Sequence, residues 1–301
     1  MISFVSTFPC QLYAIDQSSL ETQFIEIYNA SSYHRVWNLG RSVFESSAAS
    51  AKINNRKYIS TYNTFDSSGV PHFFLLIIDI QTKSIELNLT LIEKHDSGAF
   101  FHIAVANDDD NILGIRESLG AGLSLEVAKI NQTTGFMKTI GIYPAGAFSV
   151  VMAYASKRRL YYNVVDSILY GINIDTGGLD VNIEIPIDYT IYAIDYDSIG
   201  DRLIALVYSR STPNVWFLAQ IIITEQQEIK FDRIGKAEIP FEKYFWSTTY
   251  AININKRLWM TLWSTTDENI SYFVIFNIDN GDIIENQKTN FKDLSNFVCF
   301  D

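Results

Sequence analysis

A chain of 301 residues with a formal net charge of −11 is poorly suited to bind nucleic acid or an anionic membrane surface, because both require an excess of lysine and arginine. Hydrophobic residues make up 48% of the chain and aromatic residues 14%, which favours strands around a continuous core. No signal-peptide pattern and no membrane-spanning apolar run occurs, so the composition predicts a soluble, acidic, cytoplasmic protein.

A hairpin-like segment recurs six times, and in each copy an apolar strand ends at a turn before a second strand follows. In chain order the copies occupy residues 11–16, 76–81, 125–131, 169–175, 219–224 and 274–279. Successive copies lie roughly 50 residues apart, which is the repeat length of a four-stranded propeller blade. Each copy is therefore predicted to join the third and fourth strands of one blade.

A second repeated unit lies between the hairpins and supplies the first two strands of each blade. It consists of two apolar strands joined by a polar turn and is clearest at residues 192–206. Five complete blades start near residues 43, 99, 147, 190 and 245. Almost no helix is predicted, because no long segment keeps a 3.6-residue period.

The two ends of the chain together predict a sixth blade. One strand remains at about 294–301, and residues 1–40 supply three, with 2–8 as the second strand and 11–16 as the third. Pairing the C-terminal strand with the N-terminal three closes a single all-β domain, a six-bladed β-propeller over residues 1–301, and removes an exposed edge. A two-sheet sandwich explains the turn spacing but not the repeat or the matching ends.

Five polar residues near the starts of the first strands are candidate site residues, because propellers place function at the axial channel. Glu45 and His102 are candidates for acid–base catalysis, and Glu45 and Asn296 for holding one divalent ion, calcium or zinc. Tyr192, Ser247 and Asn296 are candidates for ligand binding. The alternative is a water-filled channel in which these groups satisfy one another. No other cofactor is predicted.

Aromatic and cysteine residues leave two further questions open. Trp259 and Trp263 lie four residues apart in one strand and share a face, so they form either a solvent-facing stacking platform or part of the core between blades. Cys10 and Cys299 both belong to the closing blade, where a disulfide is geometrically conceivable. A cytoplasmic location argues against such a bond.

The segment Leu169-Tyr170-Gly171-Ile172-Asn173-Ile174-Asp175-Thr176-Gly177 resembles the Leu-Tyr-Ala-Leu-Asp-x-x-Thr-Gly pattern of quinoprotein-like propeller repeats. The resemblance implies a propeller, but the tryptophan docking signature of quinoprotein dehydrogenases is missing, so it implies no quinone cofactor. Glu45 and Asn296 are similar to part of the Glu, Asn and Asp calcium set of six-bladed hydrolases of the senescence-marker/gluconolactonase type. The motifs around these two residues do not match that family.

Three functions fit this sequence, and they belong to different classes. The first is a non-enzymatic binding or interaction module that presents loops around a polar channel to a protein or small molecule. The second is a metal-assisted hydrolase or lactonase with Glu45, His102 and Asn296 at the channel mouth. The third is a carbohydrate-binding propeller with solvent-facing aromatic residues. No catalytic motif decides whether the protein is an enzyme.

Overall fold

The computed structural model contains almost only β-strands. It describes residues 8–16, 22–40, 50–53, 56–65, 67–68, 70–91, 97–106, 111–118, 124–144, 151–210, 215–240, 244–245, 250–265, 271–289, 291 and 294–301. A single 3₁₀ turn, Ser156–Arg158, is the only helical element within these residues. None of their helical structure is long and apolar enough to cross a membrane.

Twenty-six strands follow one another along the chain. The first thirteen are β1 (Gln11–Asp16), β2 (Thr22–Asn29), β3 (Ser32–Gly40), β4 (Ser50–Ile53), β5 (Lys57–Phe65), β6 (Pro71–Asp79), β7 (Ser84–Thr90), β8 (Ser97–Ala106), β9 (Asn111–Ser118), β10 (Ser124–Ile130), β11 (Met137–Ile142), β12 (Val151–Ala155) and β13 (Leu160–Val165).

The second thirteen strands complete the chain. They are β14 (Ile168–Asn173), β15 (Leu179–Glu184), β16 (Tyr189–Asp197), β17 (Arg202–Ser209), β18 (Val215–Ile223), β19 (Ile229–Arg233), β20 (Ile239–Pro240), β21 (Tyr244–Phe245), β22 (Tyr250–Asn253), β23 (Leu258–Thr265), β24 (Ser271–Asn277), β25 (Ile283–Thr289) and β26 (Leu294–Phe300).

These strands form six antiparallel sheets, each built on four strands, and the predicted six-bladed β-propeller is confirmed. Blade 1 has the order β26-β1-β2-β3, blade 2 β4-β5-β6-β7, blade 3 β8-β9-β10-β11, blade 4 β12-β13-β14-β15, blade 5 β16-β17-β18-β19 and blade 6 β22-β23-β24-β25. The short strand β20 adds to β18, and β21 adds to β23. The C-terminal strand pairs with the N-terminal strands, as the matching ends of the sequence predict.

Two compact units contain three blades each. Unit 1 comprises residues 1–146, 174–177 and 293–301 and holds blades 1–3, while unit 2 comprises residues 147–173 and 178–292 and holds blades 4–6. In both units the core lies between neighbouring blades, because apolar side chains cover both faces of each sheet. Tyr13, Phe24 and Tyr58 belong to the core between blades 1 and 2.

The closing blade differs from the prediction in the order of its strands. The assignment of residues 11–16 as the third strand is wrong, because β1 pairs directly with β26 and is therefore the second strand. The third and fourth strands are β2 and β3, and the predicted second strand at 2–8 lies outside the described residues apart from Phe8. The hairpin that joins the third and fourth strands of blade 1 is therefore the β2–β3 turn that follows Asn29, not the segment 11–16.

A disulfide between Cys10 and Cys299 joins the two ends of the chain within blade 1. Cys10 immediately precedes β1, Cys299 lies in β26, and their Cα atoms are 5.8 Å apart. In the antiparallel ladder of β1 and β26, Cys299 lies opposite Leu12, two residues after Cys10. The bond therefore reinforces the same strand pairing that closes the blade.

The turn between the third and fourth strands explains the repeated sequence signature. In four blades the third strand ends at an Asn or Asp whose side-chain oxygen accepts backbone N–H groups two or three residues later. The pairs are Asn29 with Ser31, Asp79 with Gln81 and Thr82, Asn131 with Thr133 and Thr134, and Asn277 with Asp279 and Asn280. Such turns need a short polar side chain at that position, which is why Asn and Asp recur there.

Candidate functional site

The five predicted site residues are described to different extents. Glu45 and Ser247 lie outside the described residues, and the side chain of Asn296 does as well, although its backbone is part of β26. His102 lies in β8 of unit 1, and Tyr192 lies in β16 of unit 2. The proposed grouping of Glu45, His102 and Asn296 stays a prediction.

Three first strands are interrupted by a β-bulge close to these residues. In β16 the register with β17 shifts between Ile191 and Ala193, so Tyr192 is the extra residue. The corresponding shift in β8 makes Phe101 the extra residue, next to His102. In β26 the shift falls at Asn296 and its neighbour, which face a single residue of β1. Bulges re-aim side chains and are frequent beside functional sites.

The bulge in blade 5 places Tyr192 in an aromatic cluster at one end of the sheet. We call Thr190, Tyr192, Tyr208, Arg210 and Trp216 the Tyr192 cluster. The Tyr192 ring stands edge-on to Trp216, with centroids 4.2 Å apart, and the Tyr208 ring lies 4.9 Å from Trp216. Trp216 is buried, whereas 37% of Tyr192 is exposed. A buried indole therefore supports an accessible phenol ring.

The cluster also carries polar groups that have no partner in the described part of the chain. The hydroxyls of Tyr192 and Tyr208 make no hydrogen bond there, and Arg210 makes no ion pair there. The Arg210 Nε donates to the Thr190 Oγ1 at 3.1 Å. Burial raises the pKa of Tyr192, the Tyr208 hydroxyl raises it further, and the Arg210 guanidinium lowers it. An accessible aromatic ring thus lies among hydrogen-bond donors that the described residues leave available.

An ionic network in the same unit differs from the Tyr192 cluster, because its polar groups bond to one another. The fully buried Asp197 carboxylate accepts hydrogen bonds from the Arg257 Nη2 at 2.7 Å, the Arg202 Nε at 2.9 Å and the Gly200 amide at 3.1 Å. Arg257 and Arg202 also pair with Asp279. The network joins blades 5 and 6 and uses its hydrogen-bonding capacity internally, so we assign it a structural role.

This network predicts that the protein loses stability in acid. Burial alone raises the pKa of Asp197, but the hydrogen bonds from Arg257, Gly200 and Arg202 outweigh it and hold the pKa below its ordinary value. A carboxyl group with a lowered folded-state pKa stabilises the fold above its unfolded pKa, and that contribution is lost as the pH falls.

We therefore expect the thermal midpoint to stay level from neutral pH down to about pH 5 and to fall steeply below about pH 4. Asp197→Asn is expected to make this acid slope shallower, whereas Glu225→Gln, which alters an exposed carboxylate of blade 5, leaves it unchanged. Differential scanning calorimetry from pH 7 to 3 measures the slopes. Equal slopes for Asp197→Asn and the wild type would contradict the assignment.

His102 has the electrostatic character of an uncharged base. Burial lowers its pKa to about 4, so the imidazole is neutral at pH 7. Within the described residues, no group of three His, Cys, Asp or Glu side chains is placed to hold a metal ion. Because Glu45 lies outside those residues, the metal site predicted at Glu45 and Asn296 stays a prediction.

The tryptophans settle one question that the sequence left open. Trp259 and Trp263 are buried in the core between blades 5 and 6, so the interpretation of core packing is confirmed for both. Trp263 lies behind the Tyr192 cluster, with its ring centroid 5.4 Å from that of Trp216. Tyr192 was predicted as a site residue from the sequence, but Tyr208 and Arg210 were not. These two residues lie two positions apart at the end of an apolar strand, and this alternation could have indicated that they share one face.

Comparison with known proteins supports the architecture. No family model and no curated protein matches the chain. Among solved structures it is similar to the periplasmic gluconolactonase of Pseudomonas aeruginosa, with 8% identity, a TM-score of 0.55 and coverage of 96% of this chain and 99% of that one.

Two further structures give the same result. A protein from Bacteroides uniformis assigned as a 6-phosphogluconolactonase has 10% identity, a TM-score of 0.53 and coverage of 96% of this chain and 99% of that one. A protein from Agrobacterium tumefaciens assigned as TolB has 11% identity, a TM-score of 0.57 and coverage of 98% of this chain and 100% of that one. At these identities the likeness shows the propeller fold alone.

Proposed function

We propose that this protein is a binding module that holds a small polyhydroxylated molecule, such as a sugar, against Tyr192. The observation that carries the proposal is an accessible tyrosine ring on a β-bulge, backed by a buried indole and flanked by hydroxyls that bond to none of the described residues. Aromatic faces pack against the apolar C–H faces of sugars, while phenols and guanidinium groups bond the hydroxyls. This joins the binding-module and carbohydrate-binding functions that the sequence predicts.

The location of Tyr192 in its blade also supports the proposal. Tyr33, Trp37 and Phe136 are likewise exposed, but Tyr33 and Trp37 lie in the outer strand β3 and Phe136 immediately precedes the outer strand β11. Tyr192 instead belongs to the first strand of its blade. From the sequence, ligands are expected near the starts of the first strands, at the axial channel. Of these four exposed aromatic residues, Tyr192 is therefore the best placed to bind one.

The substitution Tyr192→Ala tests this function. We expect at least a tenfold loss of affinity, about 1.4 kcal/mol, for the best neutral saccharide found on a glycan array, because the stacking ring is removed. Isothermal titration calorimetry measures the affinity. The matched control is Tyr33→Ala, which removes a tyrosine that is 44% exposed on blade 1. Equal affinities for Tyr192→Ala and the wild type, or no binding of any saccharide by the wild type, would overturn the proposal.

Lactone hydrolysis is the second candidate function, because two of the similar structures are named as a 6-phosphogluconolactonase and a gluconolactonase. The neutral His102 fits a general base, and Glu45 with Asn296 are the proposed ligands of a divalent ion that would activate water. Assays with gluconolactone, with and without a chelator, test this. Hydrolysis that His102→Ala abolishes would favour the enzyme. No hydrolysis with added calcium or zinc would exclude gluconolactone as a substrate.

The cellular location belongs to the proposal as well. The cytoplasmic location predicted from composition conflicts with the Cys10–Cys299 disulfide, because such bonds persist mainly in oxidising compartments. We therefore favour an oxidising compartment. Thiol labelling of the protein taken directly from its native cells, under denaturing conditions, distinguishes the two: labelled Cys10 and Cys299 indicate a reducing location, and unlabelled ones an oxidising location.

A further inference from the structure

We infer that Arg210 makes the Tyr192 cluster selective for a ligand that carries a carboxylate or a phosphate beside the ring that packs on Tyr192. This inference rests on the proposed function and adds a charge preference to it. The chain as a whole is acidic, with a formal net charge of −11. An available cation at the site is therefore a local feature against the overall charge.

Arg210 is anchored so that its guanidinium stays beside Tyr192. Its backbone N–H donates to the Asp188 carbonyl at 2.6 Å, and its Nε donates to the Thr190 Oγ1 at 3.1 Å. Thr190 pairs with Tyr208 across the β16–β17 ladder, so all three side chains belong to one face at one end of blade 5. The anchor uses only Nε and leaves the two terminal nitrogens to bind a ligand.

Most other arginines in the described part of the chain use their charge differently. Six of them form an ion pair with a carboxylate: Arg56, Arg116, Arg158, Arg202, Arg233 and Arg257. Arg210 forms none with the described residues, although it is exposed on an acidic protein. Its partner Thr190 is neutral, so it orients the guanidinium without cancelling the charge.

The terminal nitrogens of a guanidinium form a planar fork that matches the two oxygens of a carboxylate or phosphate. The hydroxyls of Tyr192 and Tyr208 add two donors next to this fork. The lowering influence of Arg210 on the pKa of Tyr192 agrees with a guanidinium close to that hydroxyl. A ligand that places its ring on Tyr192 and an anionic substituent towards Arg210 would satisfy all of these groups.

Three pyranoses that differ only at carbon 6 provide the test: glucose, glucuronate and glucose 6-phosphate. Calorimetric titration of the wild type at low salt is expected to give the two anionic sugars about tenfold to a hundredfold tighter binding than glucose, since hydrogen bonds to charged groups are the stronger ones. Arg210→Ala is expected to remove this preference, because it weakens the binding of the two anionic sugars far more than the binding of glucose. Thr190→Val is expected to reduce it, because the guanidinium loses its anchor.

Arg35→Ala is the matched control, because Arg35 is an exposed arginine on β3 whose Nε is held by a neutral side chain, the Gln23 Oε1 at 2.8 Å. It should keep the full preference. The inference would be overturned, and the proposed function left intact, by either of two results. One is equal affinity of the protein for glucose and for the two anionic sugars, and the other is a preference for the anionic sugars that survives Arg210→Ala. If none of the three sugars binds, the inference fails for these ligands, and the glycan array decides the proposed function. Tighter binding of only one anion would support the inference and identify carboxylate or phosphate as the preferred group.

Discussion

Reduction of the Cys10–Cys299 disulfide is expected to lower the free energy of unfolding by about 5 kcal/mol, since the bond closes a loop with a sequence separation of 289 residues. So long a loop greatly restricts the unfolded chain. In the folded protein the bond holds β1 against β26, so its loss also weakens the pairing that closes blade 1. Urea unfolding with and without dithiothreitol measures the difference.

The variant Cys10→Ser/Cys299→Ser provides the control for this experiment. It should unfold at the lower urea concentration of the reduced protein and show no response to dithiothreitol. Mass spectrometry of a digest prepared without reductant should recover the peptides of Cys10 and Cys299 joined. Identical urea midpoints for oxidised and reduced wild type would contradict the stabilising role.

Glu126→Ala is expected to destabilise the protein by about 3–5 kcal/mol, because it leaves a buried arginine without its carboxylate. Arg116 of β9 and Glu126 of β10 form an ion pair in which each side chain is about 7% exposed. The pair lies on the face of blade 3 that carries Phe100 and packs against blade 2. Burial lowers the pKa of Arg116, although the neighbouring Glu126 opposes this.

Arg116→Met/Glu126→Leu tests whether the cost arises from removing only one charge of the ion pair. Removing both charges together avoids that cost, so the double variant should lie within about 1.5 kcal/mol of the wild type. Chemical unfolding of the two variants compares their losses in the free energy of unfolding. The explanation would be wrong if Glu126→Ala and the double variant lost the same stability.

The sequence predicted the six blades and the closure because both follow from a local pattern repeated along the chain. It misplaced the strand order of blade 1, because β1 reads Gln-Leu-Tyr-Ala-Ile-Asp and resembles the third strands of other blades. Second and third strands are both buried on both faces, so their composition is alike. Only the long-range pairing of β1 with β26 distinguishes them, and the spacing of residues does not record it.

The candidate site was predicted only in part for a similar reason. Tyr192 was singled out because it lies near the start of a first strand. Its exposure depends on a β-bulge, which adds one residue without leaving a periodic signal. Tyr208 and Arg210 join it from the next strand through the ladder register, and Arg210 matters because Thr190, a neutral residue, is its anchor. Both facts depend on tertiary pairing.

Indole ¹⁵N–¹H spectroscopy tests whether a sugar-like ligand binds against Tyr192. The five tryptophans give one indole signal each, assigned by single Trp→Phe variants. With millimolar glucose or glucuronate, the signal of Trp216 should shift most and that of Trp263 less. The Trp216 ring contacts Tyr192, and the Trp263 ring lies behind Trp216. The signal of Trp37, exposed on β3, should stay in place. Unchanged Trp216 and Trp263 signals at saturating sugar would contradict the binding of a sugar against Tyr192.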